Sequence, residues 1–248
     1  MTVRIAMWSG PRNISTAMMR AWENRADTTV IDEPFYAAYL TITRIEHPMN
    51  EAVIASQPED WRVVADEISG PASDGAAIWF QKHMAHHMVA EIGRDWFPNL
   101  RHAFLIRDPD QVVASYAEKR QTITPLDLGY DLQAELFDEV IARTGVTPPV
   151  IEASDVLKQP RASLQALCAA LDVAFEHEML AWPAGPRESD GAWAPHWYAS
   201  VEASTGFRPW QEPKLVLDRE QKAVAQACRP AYEHLSRFRL AVPADSEE

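Results

Sequence analysis

Five short runs of apolar and β-branched residues, separated by stretches with helical periodicity, constrain the fold more than any other feature of the chain. The runs are Val3–Trp8, Thr28–Asp32, Ala76–Gln81, His102–Arg107 and Pro149–Glu152. Apolar spacing between and after them predicts helices over 15–25, 50–69, 84–94, 110–119, 129–143, 160–171 and 218–236. Strand signals alternating with helical ones imply an α/β fold: a parallel, doubly wound sheet of about five strands flanked by helices on both faces. Ligand sites in such sheets gather beyond the carboxyl ends of the strands. The chemically suggestive segments 8–16, 32–36, 81–83 and 107–109 all fall at such ends.

The 248 residues suit one domain, read here as 1–248. Within it, 181–212 is rich in Trp, Pro and Gly and reads as an irregular flap over the site. The polar tail Pro243–Glu248 is expected to fray. A net charge of −13 argues against a general nucleic-acid surface but leaves room for a small anionic ligand. Two cysteines, Cys168 and Cys228, read as buried thiols in a reducing compartment. No leader and no membrane-spanning apolar run is evident, so the expected setting is cytoplasmic, with no membrane partner. The oligomeric state is not legible.

After the first strand come Ser9, Gly10, Pro11, Arg12, Asn13, Ile14, Ser15 and Thr16, leading into a helix. A turn, an arginine and two hydroxyl residues opening a helix form an anion cradle. The helix-start amides carry partial positive charge and Arg12 adds a full one. The lysine that ends the usual nucleotide-binding P-loop is missing, and no magnesium-binding motif is recognisable. A second strand-to-helix turn reads Arg107-Asp108-Pro109, with Ser115 farther along. Asp108 suits an N-cap and Pro109 a first helical residue. Gln111, Ser115, Glu118 and Lys119 are expected on one side of this helix, where Ser115 can meet Arg107 and take a second phosphate. Two anion sites at neighbouring strand ends call for a ligand with two separated phosphate-type groups.

Pro11, Arg12, Ser15 and Thr16, taken with Arg107-Asp108-Pro109 and Ser115, resemble the sulfotransferases that use 3′-phosphoadenosine 5′-phosphosulfate (PAPS). The resemblance covers roughly residues 1–160. More narrowly, an Asp-Glu-Pro after strand two and the stretch Trp193-Ala194-Pro195-His196-Trp197-Tyr198 are similar to a bacterial sulfotransferase-like group. Some relatives carry aminotransferase-like names, but no lysine here has a context for pyridoxal phosphate. Asn13 and Ile14 replace the family's Ser-Gly. Glycine lets the backbone approach an anion and permits positive φ, whereas isoleucine is stiff and branched. The cradle survives if position 14 takes helical angles.

The resemblance implies transfer of a sulfuryl group from PAPS to a hydroxyl or amine of a small acceptor, by in-line displacement and without a metal. Arg12, Ser15, Thr16 and the loop amides would hold the 5′ end, and Arg107 with Ser115 the 3′-phosphate. Glu33 is the first candidate for the base, with a helix-capping role as its alternative. Lys82 would reach the donor's bridging oxygen. His83 is the competing base, because imidazole titrates near neutrality. His83 and His87 stand four apart but lack the Glu and third ligand of a zinc motif. His86 and His87 suit helix packing. Phe35, Tyr36, His196, Trp197 and Tyr198 are candidate acceptor or flap residues, and Ser204–Phe207 a segment closing over the donor. A stacking surface and a pinned loop are both compatible with these aromatics. A small-molecule kinase and a non-catalytic nucleotide-binding module are the alternatives.

Overall fold

The computed structural model describes residues 2–118, 122–212 and 215–242. Its strands are β1 (Val3–Ser9), β2 (Thr28–Asp32), β3 (Ile78–Met84), β4 (Arg101–Ile106) and β5 (Val150–Glu152). All pair in parallel, in the order β2-β3-β1-β4-β5. The helices are α1 (Ser15–Glu23), α2 (Tyr36–Thr43), α3 (Asn50–Ser56), α4 (Trp61–Ser69), α5 (Pro109–Ala117), α6 (Pro125–Leu128), α7 (Tyr130–Thr144), α8 (Ala153–Lys158), α9 (Pro160–Ala170), α10 (Ala194–Trp197), α11 (Ala199–Glu202) and α12 (Arg219–Ser236).

Side chains alternate across the pleat, so each strand feeds two cores. Ile5, Met7, Phe80, Ala103 and Leu105 pack with Met18, Met19 and Trp22 of α1 and Leu164 and Leu167 of α9. Ala6, Trp8, Trp79, Phe104 and Ile106 face the other way, onto Val64 and Ile68 of α4, Leu136 and Phe137 of α7 and Leu235 of α12. Helices therefore cover both faces, as the alternating pattern requires. The two cysteines are buried and free. Among the described residues no helix is long and apolar enough to cross a membrane.

Several boundaries differ from the sequence reading. The single helix expected over 50–69 is broken at Gln57, which is extended (φ −141°, ψ 159°) because Pro58 disfavours helical angles before it. Asp60 then caps α4 by accepting from the Arg62 amide. The third strand runs to Met84, every residue buried, and so absorbs Lys82 and His83. No α-helix forms over 84–94: β3 continues through Met84, and one 3₁₀ turn, Ala85–His87, follows it, with Gly129 packed against the backbone of His86. The unforeseen α2 is apolar on nearly all sides, so it carries no amphipathic stripe. The helix expected to 119 is described as far as Ala117; Lys119 and the tail Pro243–Glu248 lie outside the described residues.

β3 lies between β2 and β1, so the acids ending β2 neighbour β3 and not β1, with Asp32 directly opposite Lys82. That register brings two carboxylates and an ammonium to one end of the sheet.

Candidate active site

A cavity of about 500 Å³ opens at the carboxyl ends of β1, β2, β3 and β4. It is large enough for a nucleotide-sized or drug-sized ligand. Its lining includes Pro11–Ala17, Glu33, Tyr36, Lys82, Arg107, Ser115, Trp193, Trp197 and Tyr198. Segments from both sequence motifs, the end of β2 and the flap thus meet around one space.

At one end the loop after β1 enters α1. Ile14, the N-cap of α1, offers no side-chain acceptor to the first-turn amides, and that turn contains no acid. By contrast, α5 is capped by Asp108 and α12 by Asp218. An uncapped helix start facing a cavity is a ready anion site. Arg12 adds its guanidinium, whose Nε donates to Ser115 Oγ at 3.0 Å. The Arg107 side chain donates to the Arg12 carbonyl (2.8 Å) and to Gln111 Oε1 (3.2 Å). The predicted meeting of Arg107 with Ser115 is thus made through the loop: Arg12 takes Ser115, and Arg107 braces Arg12. Burial pulls the Arg107 pKa below the usual arginine value, opposed in part by Tyr130, and the guanidinium stays a cation because that value lies so far above neutrality.

The loop itself is wound tightly. Arg12 (φ 59°) and Ile14 (φ 53°) both lie in the left-handed region. Position 14 therefore does not take the right-handed helical angles on which the sequence reading relied. Asn13 anchors the turn by donating to the Leu105 carbonyl at 2.8 Å, while its buried Oδ1 has no protein partner among the described residues. Ser9 and Gly10 do not line the cavity. Ser9 is fully buried against Met84, and a Cβ at Gly10 would stand 2.6 Å from the Leu128 carbonyl, so glycine lets α6 approach.

The other end is built around Lys82, which is 1% exposed. Its ammonium donates to Asp32 Oδ1 (2.8 Å), Glu33 Oε1 (2.5 Å) and Tyr198 Oη (2.9 Å). Tyr198 in turn donates to Asp32 Oδ2 (2.5 Å) and accepts from Trp193 Nε1 (3.0 Å). Burial alone would discharge Lys82, but Asp32 and Glu33 together outweigh it and hold its pKa well above the ordinary lysine value. Burial raises the Glu33 carboxyl to about 7; Lys82 opposes the rise and Asp32 adds to it.

Glu33 sits in the left-handed region (φ 44°). Its amide donates to the Lys82 carbonyl and its own carbonyl accepts from the Tyr36 amide and from Gln57 Nε2. Phe35, not Glu33, is the N-cap residue of α2, and α2 has no side-chain cap, so the helix-capping alternative for Glu33 is not realised.

His83 points to the opposite face of β3 from Lys82. It is buried, stacks on Trp8 with centroids 4.5 Å apart, and does not line the cavity. Burial, with His102 adding, lowers its pKa to about 3. The competing base is thereby separated from the site by the sheet. His87 lines the cavity instead, stacked on Tyr36 and Tyr39, with Nε2 3.9 Å from Glu33. Burial and the neighbouring His86 keep it uncharged. Phe35 belongs to the core against Trp96 and His196 is exposed; neither lines the cavity. Ser204, Gly206 and Phe207 do line it, joined by Arg208.

The flap is pinned as well as aligned. Arg20, fully buried in α1, pairs with Asp190 at 2.6 Å, and Trp182 packs edge-on against Phe207. Sequence reasoning missed Asp32, Gln57, His87 and Arg208. The β2–β3 register would have exposed Asp32; nothing in the one-dimensional pattern marks Gln57.

Residues 3–237 match the family model described as "Sulfotransferase domain". The chain belongs to the sulfotransferase domain family. This family generally uses PAPS and small-molecule acceptors. Two Arabidopsis thaliana proteins, named branched-chain-amino-acid aminotransferase-like proteins 2 and 1, are 32% identical over 229 residues and 34% identical over 204 residues. The matches cover 92% and 82% of this chain but 40% and 36% of the plant proteins, so the chain spans about two fifths of their length. The sulfotransferase domain from the curacin biosynthetic pathway matches with a TM-score of 0.51 at 14% identity, covering 92% of this chain and 98% of its own. A sulfotransferase from Alicyclobacillus acidocaldarius matches with a TM-score of 0.55 at 11% identity, covering 96% and 95%. At such identities the structural matches show the sulfotransferase fold.

Proposed function

We infer that the chain is a PAPS-dependent sulfotransferase, moving a sulfuryl group onto a hydroxyl or amine of a small-molecule acceptor. The observation that carries this reading is the polarity of the cavity. Its one end offers uncapped amides, Arg12, Arg107 and Ser115; its other end offers a buried carboxyl beside an ammonium. The residues fit the donor: the uncapped helix start lies where its 5′ end would be held, with the Arg12 and Arg107 guanidinium groups beside it. The donor, when bound, supplies the sulfuryl group; its sulfur–oxygen bond to phosphate breaks as sulfur bonds to the acceptor atom.

In this reading Ser15, Thr16 and the first-turn amides of α1 bind the 5′ end, with Arg12 beside them. Arg107 and Ser115 take the 3′-phosphate. Lys82 places positive charge where the leaving oxygen gains negative charge. Glu33, with a pKa of about 7, takes the proton released by the acceptor. Trp193, Trp197 and Tyr198 keep water from the reacting end. The span 1–248 is read as one unit with 181–212 as its flap, and the free, buried cysteines support a reducing, cytoplasmic setting. Lys82, held as an ammonium by two carboxylates, is poorly suited to condensing with a carbonyl, which speaks against aminotransferase chemistry at this site.

A second reading, a nucleotide-binding module without transfer, draws on one fact: Lys82 commits its ammonium to three protein partners. Calorimetric titration with 3′,5′-ADP tests both. The expected result is binding that Arg12→Ala and Arg107→Ala each weaken by about tenfold or more, the loss of a charge-assisted contact being worth about 1.5–3 kcal/mol. Binding indifferent to both changes would place the nucleotide elsewhere, and no binding would remove PAPS as donor. Binding with no sulfated product across a broad acceptor panel, read by mass spectrometry, would favour the module.

A further inference from the structure

The ends of β2 and β3 bring two carboxylates to one ammonium, and the two acids are not equivalent. Asp32 accepts from Lys82 Nζ, the Tyr198 hydroxyl and the Gly191 amide, at 2.8, 2.5 and 3.2 Å. Three donors converge on it from two parts of the fold, and its side chain is 1% exposed. Such a donor set satisfies an ionised carboxylate and gives a carboxylic proton no acceptor. Glu33 accepts only from Lys82 among the described residues, and its second oxygen faces His87 at 3.9 Å on the cavity side.

One positive charge thus faces two potential negative ones. The ordering of the donors decides which acid keeps its charge. We propose that Asp32 is a positioning residue: it is the permanent counterion of Lys82, and by holding that charge it leaves Glu33 as the carboxyl group that gains and loses a proton. Gly191 and Tyr198 belong to the flap, so Asp32 also ties the flap to the ion pair. A Cβ at Gly191 would lie 2.1 Å from the Trp193 ring, so glycine there lets Trp193 pack against the flap backbone.

Lys82 on β3, Asp32 on β2, His87 on the turn after β3 and Tyr198 on the flap act on Glu33, and Tyr36 on α2, His47 beyond it and His86 line the same cavity. Of these, burial leaves His87 neutral, so Lys82 and Asp32 dominate the charge felt by Glu33. Neutralising Asp32 leaves Lys82 acting on Glu33 alone and must lower the pH at which Glu33 titrates.

The proposal rests on the reading of Glu33 as base, and its primary test does not need turnover. Carbon-13 NMR of the carboxyl groups, with Glu33→Gln used for assignment, follows Glu33 in the full chain. In Asp32→Asn the midpoint is expected to fall by about one pH unit or more, the ordinary effect of one adjacent charge. Tyr198→Phe, which removes a single donor to Asp32, shifts it in the same direction by less and serves where Asp32→Asn fails to fold. Asp32→Glu restores the midpoint toward that of the unsubstituted protein. A midpoint that stays or rises in Asp32→Asn, or in Tyr198→Phe where Asp32→Asn fails to fold, would overturn the proposal. So would a titration assigned to Asp32 near neutrality. If sulfuryl transfer is measurable, the acid limb of kcat moves with the NMR midpoint while KM for the donor changes little. If no transfer is found but the midpoint shifts, the assignment of Asp32 stands and the reading of Glu33 as a sulfotransfer base falls.

Discussion

The two ends of the cavity solve opposite problems with similar residue types. Around α1 the donors are left open: first-turn amides without a side-chain cap and, among the described residues, arginines held by carbonyl, amide and hydroxyl oxygens and not by acids. Around Lys82 nearly everything is closed, with one ammonium, two carboxylates, a phenol and an indole bonded to one another away from water. The first end is complete only when an anion arrives. The second is complete beforehand and holds its charges in a fixed arrangement. Recognition and chemistry are thus separated along one cavity, and each end has its own energetic signature.

The sharpest way to break the comparison is to remove one cation from each end. Lys82→Met leaves two buried carboxylates without their counterion, and breaking a buried pair in this way costs about 3–5 kcal/mol. Arg12→Met removes a partly exposed group with no carboxylate partner among the described residues and should change stability by less than about 0.5 kcal/mol. Urea denaturation at neutral pH measures both. Equal losses in the two variants would mean that the loop end is as internally satisfied as the lysine end.

A second comparison sets His83 against Glu33, which lie on opposite faces of the same sheet end and titrate with opposite sign. The His83 pKa falls from 6.5 to about 3 on folding, so the unfolded chain takes up its proton first. Its contribution is present above 6.5 and is lost as pH falls through the folded value. Glu33 rises from 4.5 to about 7, so its contribution is present below 4.5 and is lost as pH rises through 7. Between pH 6 and 5, His83→Gln should gain on the unsubstituted protein by about 1.4 kcal/mol per unit of acidification. Over the same range Glu33→Gln should gain by a similar amount per unit of alkalinisation. Denaturant midpoints collected at several pH values give both slopes, and two slopes of the same sign would contradict the placement of His83 in the core.

What the sequence revealed follows the same division. The fold class, the placing of the chemistry-bearing loops at strand ends and the anion loop were legible because they are local: a strand, a turn and a helix start occupy consecutive residues. Asp108 and Pro109 announced α5 in the same local way. The closed end was only half legible, because it is made by register. Lys82 meets Asp32 through the pairing of β2 with β3, and Tyr198 reaches both from the flap, far along the chain. His83 was misjudged for a related reason. Taken as a loop residue it was free to face the ligand, but β3 continues through it, and alternation sends it to the face opposite Lys82. Gln57, which supports the bend at Glu33, left no trace in periodicity at all.

The smallest expected effect concerns Ile14, where the open end departs from the family pattern. A β-branched residue at φ 53°, ψ 14° is a steric outlier, with strain of about 1–3 kcal/mol. Its side chain is partly buried against the α1 core, which offsets some of that strain. In an ordinary helix, alanine is more stable than glycine. At this N-cap with left-handed angles the order should reverse: Ile14→Gly is expected to exceed Ile14→Ala in stability by about 1 kcal/mol. Both variants lose the isoleucine packing, so their difference isolates the backbone. Urea midpoints for the pair decide it, and an alanine variant as stable as the glycine one would show that the loop relaxes out of the left-handed region. Ile14→Gly should also tighten 3′,5′-ADP binding relative to Ile14→Ala, because glycine holds without strain the left-handed conformation that presents the loop amides to the anion.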